Sequence, residues 1–253
     1  MTVVAVGMVK DEGDVIGCTI RHLLRESVDR VIVADNLSTD ATRPTLDLLA
    51  AHDSRITVVD DPEYGYYQSR KMSTLAQHAY EDGAEWVVPF DADEIIWRHG
   101  TQTVGGFLRS LSEDVGVVEI TGWDYLPSES DDPQEPCPFH RIARRRDYPQ
   151  KLPKVAFRAT DDVTVHMGNH DVSGVPGRRT PGLELAHFQY RTVEQMTQKL
   201  RNGRQVYEAT DIHEMHGTHW REGGALSVRD LHGKWAGLLN EETVFDPAPV
   251  RCQ

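Results

Sequence analysis

Val87-Val88-Pro89-Phe90-Asp91-Ala92-Asp93-Glu94 sets a short apolar run directly before three carboxylates in four positions. The run has the length and composition of a buried strand. Carboxylates that follow such a strand emerge at its carboxyl end, and in open α/β sheets that edge holds the ligand crevice. If the backbone stays extended, Asp91 and Asp93 share one side, because strand side chains alternate with period two. Two carboxylates that close repel unless a cation separates them. Mg²⁺ and Mn²⁺ are hard ions that favour oxygen ligands and often share substrate phosphates. The stretch therefore points to a metal that grips a diphosphate. An acidic turn capping the next helix is the plainer alternative.

Outward from this stretch, strand-like and helix-like runs alternate. Thr2–Val9, Arg30–Ala34, Arg55–Val59, Glu85–Phe90 and Val115–Thr121 read as strands. Asp14–Arg25 carries Ile16, Ile20, Leu23 and Leu24 at helical spacing, and Thr42 with Pro44 begins a second helix. Tyr66–Tyr80 is a third, and Thr103–Leu111 a short fourth capped by Thr103. Alternation of this kind predicts an α/β fold with a mostly parallel central sheet and helices on both faces. The pattern breaks at Gly122. A loop (Tyr125–Pro138), a basic run (His140–Lys154), short β-like pieces at Val155–Arg158 and Val163–His166, and helices over Thr192–Arg201 and Ser227–Leu239 follow. Residues 1–122 form the α/β half, and 123–253 read as a C-terminal elaboration of the same domain.

The 253 residues carry 27 Lys+Arg against 40 Asp+Glu, a net charge of −13. A hydrophobic fraction of 39% with 26% charged residues describes a globular chain and excludes disorder. No apolar run approaches the ~18 residues of a membrane span, and the first residues lack the basic region and cleavage site of a secretory signal. Cys18, Cys137 and Cys252 are widely spaced, which argues against a disulfide framework and for a cytoplasmic setting. The acidic balance disfavours indiscriminate binding to nucleic acid.

Two further segments carry chemistry-bearing residues. Asp35-Asn36-Leu37-Ser38-Thr39-Asp40 follows the second strand. It reads as a capping loop, or as a place where Asp35 or Asn36 meets a base or ribose. His166-Met167-Gly168-Asn169-His170-Asp171 groups two histidines and an aspartate after a short β-like run. The alternatives there are a polar turn and a catalytic cluster.

Taken together these segments resemble family 2-like glycosyltransferases of the GT-A (Rossmann-like) fold. The resemblance rests on Ala5-Val6-Gly7-Met8-Val9-Lys10-Asp11-Glu12, the loop Asp35–Thr42, Gln68-Ser69-Arg70-Lys71, the segment Glu85–Ile96 with its D-x-D, and Leu185-Ala186-His187-Phe188-Gln189-Tyr190-Arg191 running on to Lys199 and Gly203. It covers roughly residues 2–205. It implies a metal-dependent transferase that moves a sugar from a nucleotide-diphosphate sugar, a UDP-sugar by family habit, to an acceptor hydroxyl with inversion. Residues 1–122 would be the donor half and 123–253 the acceptor side. Asp91 and Asp93 would grip Mn²⁺ or Mg²⁺ on the donor diphosphate, with His187 completing the site. Val6, Met8, Lys10, Asp35, Asn36, Gln68, Arg70, Lys71, Asp91 and Ala92 would line the nucleotide.

Inversion needs one general base. The E-D pair and Q-x-x-R-W segment of the best-known members are absent. The candidates are Asp171, then His170, then Asp124. The Arg141–Arg146 run reads as a solvated face or as a grip on an anionic acceptor, so a glycan, natural product, protein or modified nucleic acid all stay open as acceptor. His213, His216 and His219 with Trp220 read as a surface loop or a lid over the donor. A zinc site from His166, His170 and His187 ranks below these readings. The competing functions are a nucleotidyltransferase, for which Val6–Gly13 is a poor phosphate loop, and a non-catalytic nucleotide-binding module.

Overall fold

The computed structural model describes residues 1–210 and 217–251. Strands β1 (Val3–Val9), β2 (Arg30–Asp35), β3 (Ile56–Asp60) and β4 (Trp86–Phe90) alternate with helices α1 (Ile16–Arg25), α2 (Thr42–His52) and α3 (Gln68–Glu81). Then come β5 (Glu94–Trp97), α4 (Val104–Ser110), β6 (Val115–Asp124), α5 (Pro138–Arg141), β7 (Arg144–Arg145), β8 (Lys154–Arg158), β9 (Thr164–Val165), a 3₁₀ turn (Met167–Asn169), β10 (Val172–Ser173) and β11 (Arg178–His187). Helices α6 (Val193–Glu208), α7 (Thr218–Ala225) and α8 (Val228–Leu239) precede a last short strand, β12 (Val244–Phe245).

Eight strands form the central sheet in the order β3-β2-β1-β4-β8-β6-β11-β5. The β3-β2-β1-β4 half is parallel. In the other half β6 pairs parallel with β11, while β8 and β5 run antiparallel to their neighbours. The chain enters at β1, moves out to β3 and returns to β4 on the other side of β1. That reversal is a topological switch point, where the carboxyl ends of neighbouring strands splay open.

Alternation along β1 builds a core on each face. Val3, Ala5 and Val9 pack with Ile16, Ile20 and Leu23 of α1. Val4 and Val6 pack with Met72, Leu75, Ala76 and Ala79 of α3. Val6, expected in the nucleotide pocket, is therefore a fully buried core residue. It points into the α3 face two residues short of the sheet edge, and Met8 is the first residue of that face to emerge. The Thr103 hydroxyl caps α4 by accepting from Gly106 N at 3.2 Å, and the Ser227 hydroxyl caps α8 by accepting from Asp230 N at 3.2 Å.

The sequence reading missed two strands of the central sheet, and the two-residue strands β7, β10 and β12 outside it. β5 begins on a buried glutamate, and β11 contains Pro181 and Gly182, which ordinarily end a strand. The register shifts between Pro181 and Leu183, and the strand continues past that irregularity between β6 and β5. Asp91–Glu94 is also a turn, closed by Glu94 N donating to Asp91 O at 3.1 Å, not extended backbone. The sulfurs of Cys18 and Cys137 lie 3.5 Å apart across 119 residues of sequence, while Cys252 lies outside the described residues. Among the described residues no helix is long and apolar enough to cross a membrane.

The C-terminal segment returns to α1. Arg251 N donates to His22 Nδ1 at 2.9 Å, and His22 Nε2 donates to Ile96 O at 2.8 Å. Both ring nitrogens are thus satisfied only by the neutral imidazole. Burial, countered in part by the Ile96 bond and reinforced by Arg251, lowers the pKa from 6.5 to about 4. The unfolded chain then binds the extra proton between those values, so stability falls as pH drops through that window. The expected loss is about 2 kcal/mol by pH 5 relative to neutral pH. Thermal melts of wild type and His22→Asn across this range check it. Equal acid slopes in the two proteins would refute it.

Candidate active site

A cavity of about 510 Å³ opens at the carboxyl edge of β1 and β4. Met8 and Lys10 line it from the end of β1, Asn36 from the end of β2, Gln68 from the start of α3, and Asp91–Glu94 from the turn after β4. Lys199, Asn202, Gly203 and Tyr207 of α6 and Trp220 of α7 form one wall; Gln150, Lys154, Gly168 and His170 form another. His187, last residue of β11, closes the floor. It arrives there because β11 pairs with β5 in a register that sets His187 opposite Glu94.

Each carboxylate of the turn has a cationic partner. Lys154 pairs with Asp91 and lies 2.6 Å from Glu94 Oε1. Lys199 bridges Glu12 Oε1 at 2.5 Å and Asp93 Oδ2 at 2.6 Å. Burial opposes charge on both lysines, but the paired carboxylates outweigh it and raise their pKa values. Burial likewise opposes ionisation of Asp93, yet Lys199, His187 and Arg191 hold that carboxyl well below its usual range. Glu94 goes the other way: burial, only partly countered by Lys154, pushes it up to about 7.

His187 stands between two acids, with Nδ1 3.1 Å from Asp124 Oδ1 and Nε2 3.6 Å from Asp93 Oδ2. Burial would lower its pKa, but Asp124 and Asp93 raise it to about 10. Asp124 also accepts from Arg146 Nη1 and Gln150 Nε2, each at 2.7 Å. Burial notwithstanding, His187, Gln150 and Arg146 bring Asp124 down to about 2. Arg191, with a fully buried side chain, underpins the floor: it meets Glu12 Oε2 at 2.6 Å and Asp14 at 2.7 and 2.8 Å.

Residues 8–124, which carry β1 through β6 and the acidic turn, match the profile of glycosyl transferase family 2. The chain carries a glycosyl transferase family 2 domain. No curated protein matches the chain. Among solved structures it is similar to Staphylococcus aureus TarS residues 1–349 in complex with UDP, at 12% identity over 89% of this chain and 70% of that one, TM-score 0.46. It is similar to the mannosyltransferase PcManGT of Pyrobaculum calidifontis with GDP-Man and Mn²⁺, at 16% identity over 94% and 71%, TM-score 0.46. A third is GalNAc-T7 with UDP, GalNAc and Mn²⁺, at 12% identity over 93% and 54%, TM-score 0.47.

Within the family 2 domain and its elaboration, the expected site residues separate into two groups. Met8, Lys10, Asn36, Gln68, Asp91, Ala92, Asp93, His170 and His187 line the cavity. Val6, Asp35, Arg70, Lys71, Asp124 and Asp171 do not. Asp35 is buried, accepts from Ser38 N at 3.4 Å and lies 3.9 Å from Arg43. Lys71 donates to Asp61 Oδ2 at 2.6 Å, and Arg70 reaches both Glu63 oxygens at 2.6 Å, so α3 spends these cations on the loop behind Asn36. Asp171 turns outward to pair with Arg179.

His170 stays in the wall with its Nδ1 donating to Pro153 O at 2.9 Å. That bond leaves Nε2 as the acceptor nitrogen. Burial, with Lys154 nearby, lowers the His170 pKa, although the Pro153 bond works against it.

The basic run is not a free anionic grip. Arg141 donates to Arg191 O at 3.0 Å, Arg144 to Thr243 at 2.9 Å, Arg145 to Asp246 at 2.6 Å, and Arg146 to Glu241 at 2.6 Å. Arg144, Arg145 and Arg146 clasp the C-terminal segment, and Arg141 holds the turn after β11. Of the suggested lid, His213 and His216 lie outside the described residues, while Trp220 lines the cavity.

The family implies a divalent ion. Among the described residues no group of three or more His, Cys, Asp or Glu is arranged to hold one by itself, which also removes the His166–His170–His187 zinc reading. The 3.6 Å between Asp93 Oδ2 and His187 Nε2 still lets one ion lie ~2.1 Å from both. The Asp124 carboxylate on His187 Nδ1 is the arrangement that orients metal-binding imidazoles. The residues fit an ion held by two protein ligands and completed by substrate oxygens and water.

Lys154 and Lys199 were in view in the sequence without a role. Lys154 opens the buried strand Val155-Ala156-Phe157, and Lys199 shares a helix face with Met196 and Gly203. A lysine on a buried surface requires a carboxylate partner. That rule, applied to both, leads to the acidic turn.

Proposed function

We propose that the family 2 domain transfers a sugar from a nucleoside-diphosphate sugar, a UDP-sugar by family habit, to an acceptor hydroxyl with inversion. The carrying observation is the convergence of Asp93, His187 and His170 on one cavity at the switch point of the sheet. The nucleotide lies along Met8, Lys10, Asn36 and Gln68, with its diphosphate toward the acidic turn. Asp93 and His187, with Asp91 alongside, would hold Mn²⁺ or Mg²⁺, which when bound neutralises charge on the departing diphosphate.

His170 is the general base. Its Nδ1–H is fixed on a backbone carbonyl, its Nε2 lone pair is available, and its surroundings keep it neutral at physiological pH. It takes the proton of the acceptor hydroxyl as oxygen attacks the anomeric carbon and the nucleoside diphosphate leaves. Asp124, bound to Arg146, Gln150 and His187, positions His187 rather than serving as the base. Asp171 pairs outside the cavity.

The test is donor turnover: release of nucleoside diphosphate from UDP- and GDP-sugars with a panel of glycan, natural-product and peptide acceptors. His170→Gln is expected to lower kcat about 100-fold while nucleotide affinity stays within about twofold. An unchanged kcat places the base elsewhere. Nucleotide binding with no donor consumption under any condition supports the non-catalytic module instead.

A further inference from the structure

Asp124, the last residue of β6, is held through both of its oxygens. Oδ1 accepts from Gln150 Nε2 at 2.7 Å and lies 3.1 Å from His187 Nδ1. Gln150 Nε2 is itself 3.1 Å from His187 Nδ1. With His187 Nε2 turned to Asp93, Nδ1 carries a proton, so both nitrogens are donors and Oδ1 is the acceptor that orients the imidazole. The other oxygen, Oδ2, accepts from Arg146 Nη1 at 2.7 Å. A second edge of that guanidinium faces Glu241, with Nε donating to Oε1 at 2.6 Å and Nη2 to Oε2 at 3.1 Å. An unbroken run of hydrogen bonds therefore leads from Glu241 through Arg146 and Asp124 to His187 on the cavity floor.

Glu241 lies just beyond α8, on the segment that Arg144 and Arg145 dock through Thr243 and Asp246. Leu231 of α8 packs with Met196 and Leu200 of α6, and α6 supplies Lys199 and Asn202 to the cavity wall. The run of bonds thus joins that helical wall to the floor. A guanidinium meets a carboxylate best through two nitrogens on two oxygens. Arg146 gives this fork to Glu241 and a single nitrogen to Asp124, on the oxygen that His187 does not use. Without Glu241 the fork is free to close over both oxygens of Asp124. It would then compete with His187 and Gln150 for Oδ1, and the imidazole would lose its fixed partner. A partly exposed ion pair contributes little stability by itself, so what Glu241 contributes is the direction it gives Arg146.

We infer that Glu241 is a positioning residue for His187: by holding the fork of Arg146 it leaves Asp124 Oδ1 to the imidazole, and so ties the segment after α8 to the cavity floor. The consequence for ion binding rests on the donor-site reading proposed above, in which His187 is a ligand. The orientation of the ring does not.

Two measurements test it. In the ion-free protein the Nδ1 proton of His187, identified as the NMR signal lost in His187→Gln, reports the bond to Asp124. With UDP or GDP present, titration followed by the EPR signal of free Mn²⁺ gives the ion affinity. Glu241→Ala should broaden or shift the proton signal and weaken Mn²⁺ about tenfold, the low end of what outer partners of metal-bound histidines contribute. Glu241→Gln keeps one acceptor for the fork and should fall between. In an Arg146→Met background there is no fork to release, so adding Glu241→Ala should change the ion affinity by less than about twofold. An equal effect of Glu241→Ala in both backgrounds would run through the packing of the segment and overturns the inference. A proton signal and ion affinity that Glu241→Ala leaves at wild-type values overturn it too, whatever happens to the melting temperature, because a clasp that only stabilises the fold moves the melting temperature alone. If wild type binds no Mn²⁺ with either nucleotide, the donor-site reading fails and the proton signal decides the inference by itself. Unchanged in Glu241→Ala, it overturns the inference; changed only while Arg146 is present, it upholds it.

Discussion

Asp93→Asn is expected to abolish metal-dependent nucleotide binding and to cut sugar transfer by about a thousandfold, the ~4 kcal/mol of charge stabilisation that a correctly held ion supplies. Among the described residues Asp93 is the one that meets His187, Lys199 and Arg191 together. Removing its charge takes away a metal anchor and unsettles the lysine beside it. The fold should survive, because Lys199 keeps Glu12 and Arg191 keeps Glu12 and Asp14. Wild type with Mn²⁺ and nucleotide at 100 times Kd should gain about 2.7 kcal/mol, a melting rise of roughly 5–10 °C for a chain of this size. Asp93→Asn should show no such rise. Wild-type binding that is equally tight in EDTA would sink the metal assignment and leave Lys154 and Lys199 as the groups that hold the diphosphate. Metal-dependent binding of unchanged strength in the variant would remove Asp93 from the site.

What the sequence made legible follows from locality. The first half of the sheet could be read because apolar strands and amphipathic helices alternate there with little interruption. Strands β5 and β11 escaped because Glu94, Pro181 and Gly182 break the local pattern, and only pairing between distant segments makes them strands. Asp91, Asp93, His170 and His187 stood out as polar residues at the ends of apolar runs. Asp171 ranked ahead of His170 as the base because a window of sequence shows only that the two adjoin, but the turn sends their side chains to Arg179 and Pro153 respectively. The arginines of residues 141–146 looked free because partners such as Glu241 and Asp246 lie about a hundred residues away. Charge balance at a site is a property of the assembled fold, and no window of sequence displays it.

That balance makes Arg191 the most consequential single position for stability. Its guanidinium has no exposure and meets Glu12, Asp14 and Asp93, with Nη1 also donating to Phe188 O at 2.9 Å. Arg191→Met fills much of the same volume but strands Glu12 and part of Asp93 in a buried environment with Lys199 as the remaining shared cation. Breaking a buried network by removing one partner costs about 3–5 kcal/mol, so the melting temperature should drop by roughly 6–20 °C. Arg191→Lys keeps the charge but not the fork that reaches Asp14 through two nitrogens, and it should fall between wild type and Arg191→Met. Glu12→Gln combined with Arg191→Met should lose less than the sum of the single losses, because the pair shares one interaction. Urea denaturation of wild type, Arg191→Met, Arg191→Lys, Glu12→Gln and the double variant reads all three expectations. A loss below about 1 kcal/mol for Arg191→Met, small against the cost of an unpaired buried charge, would mean that water or rearrangement relieves Glu12. The carboxylates of the first-strand loop would then owe their placement to Lys199 and α6 rather than to Arg191.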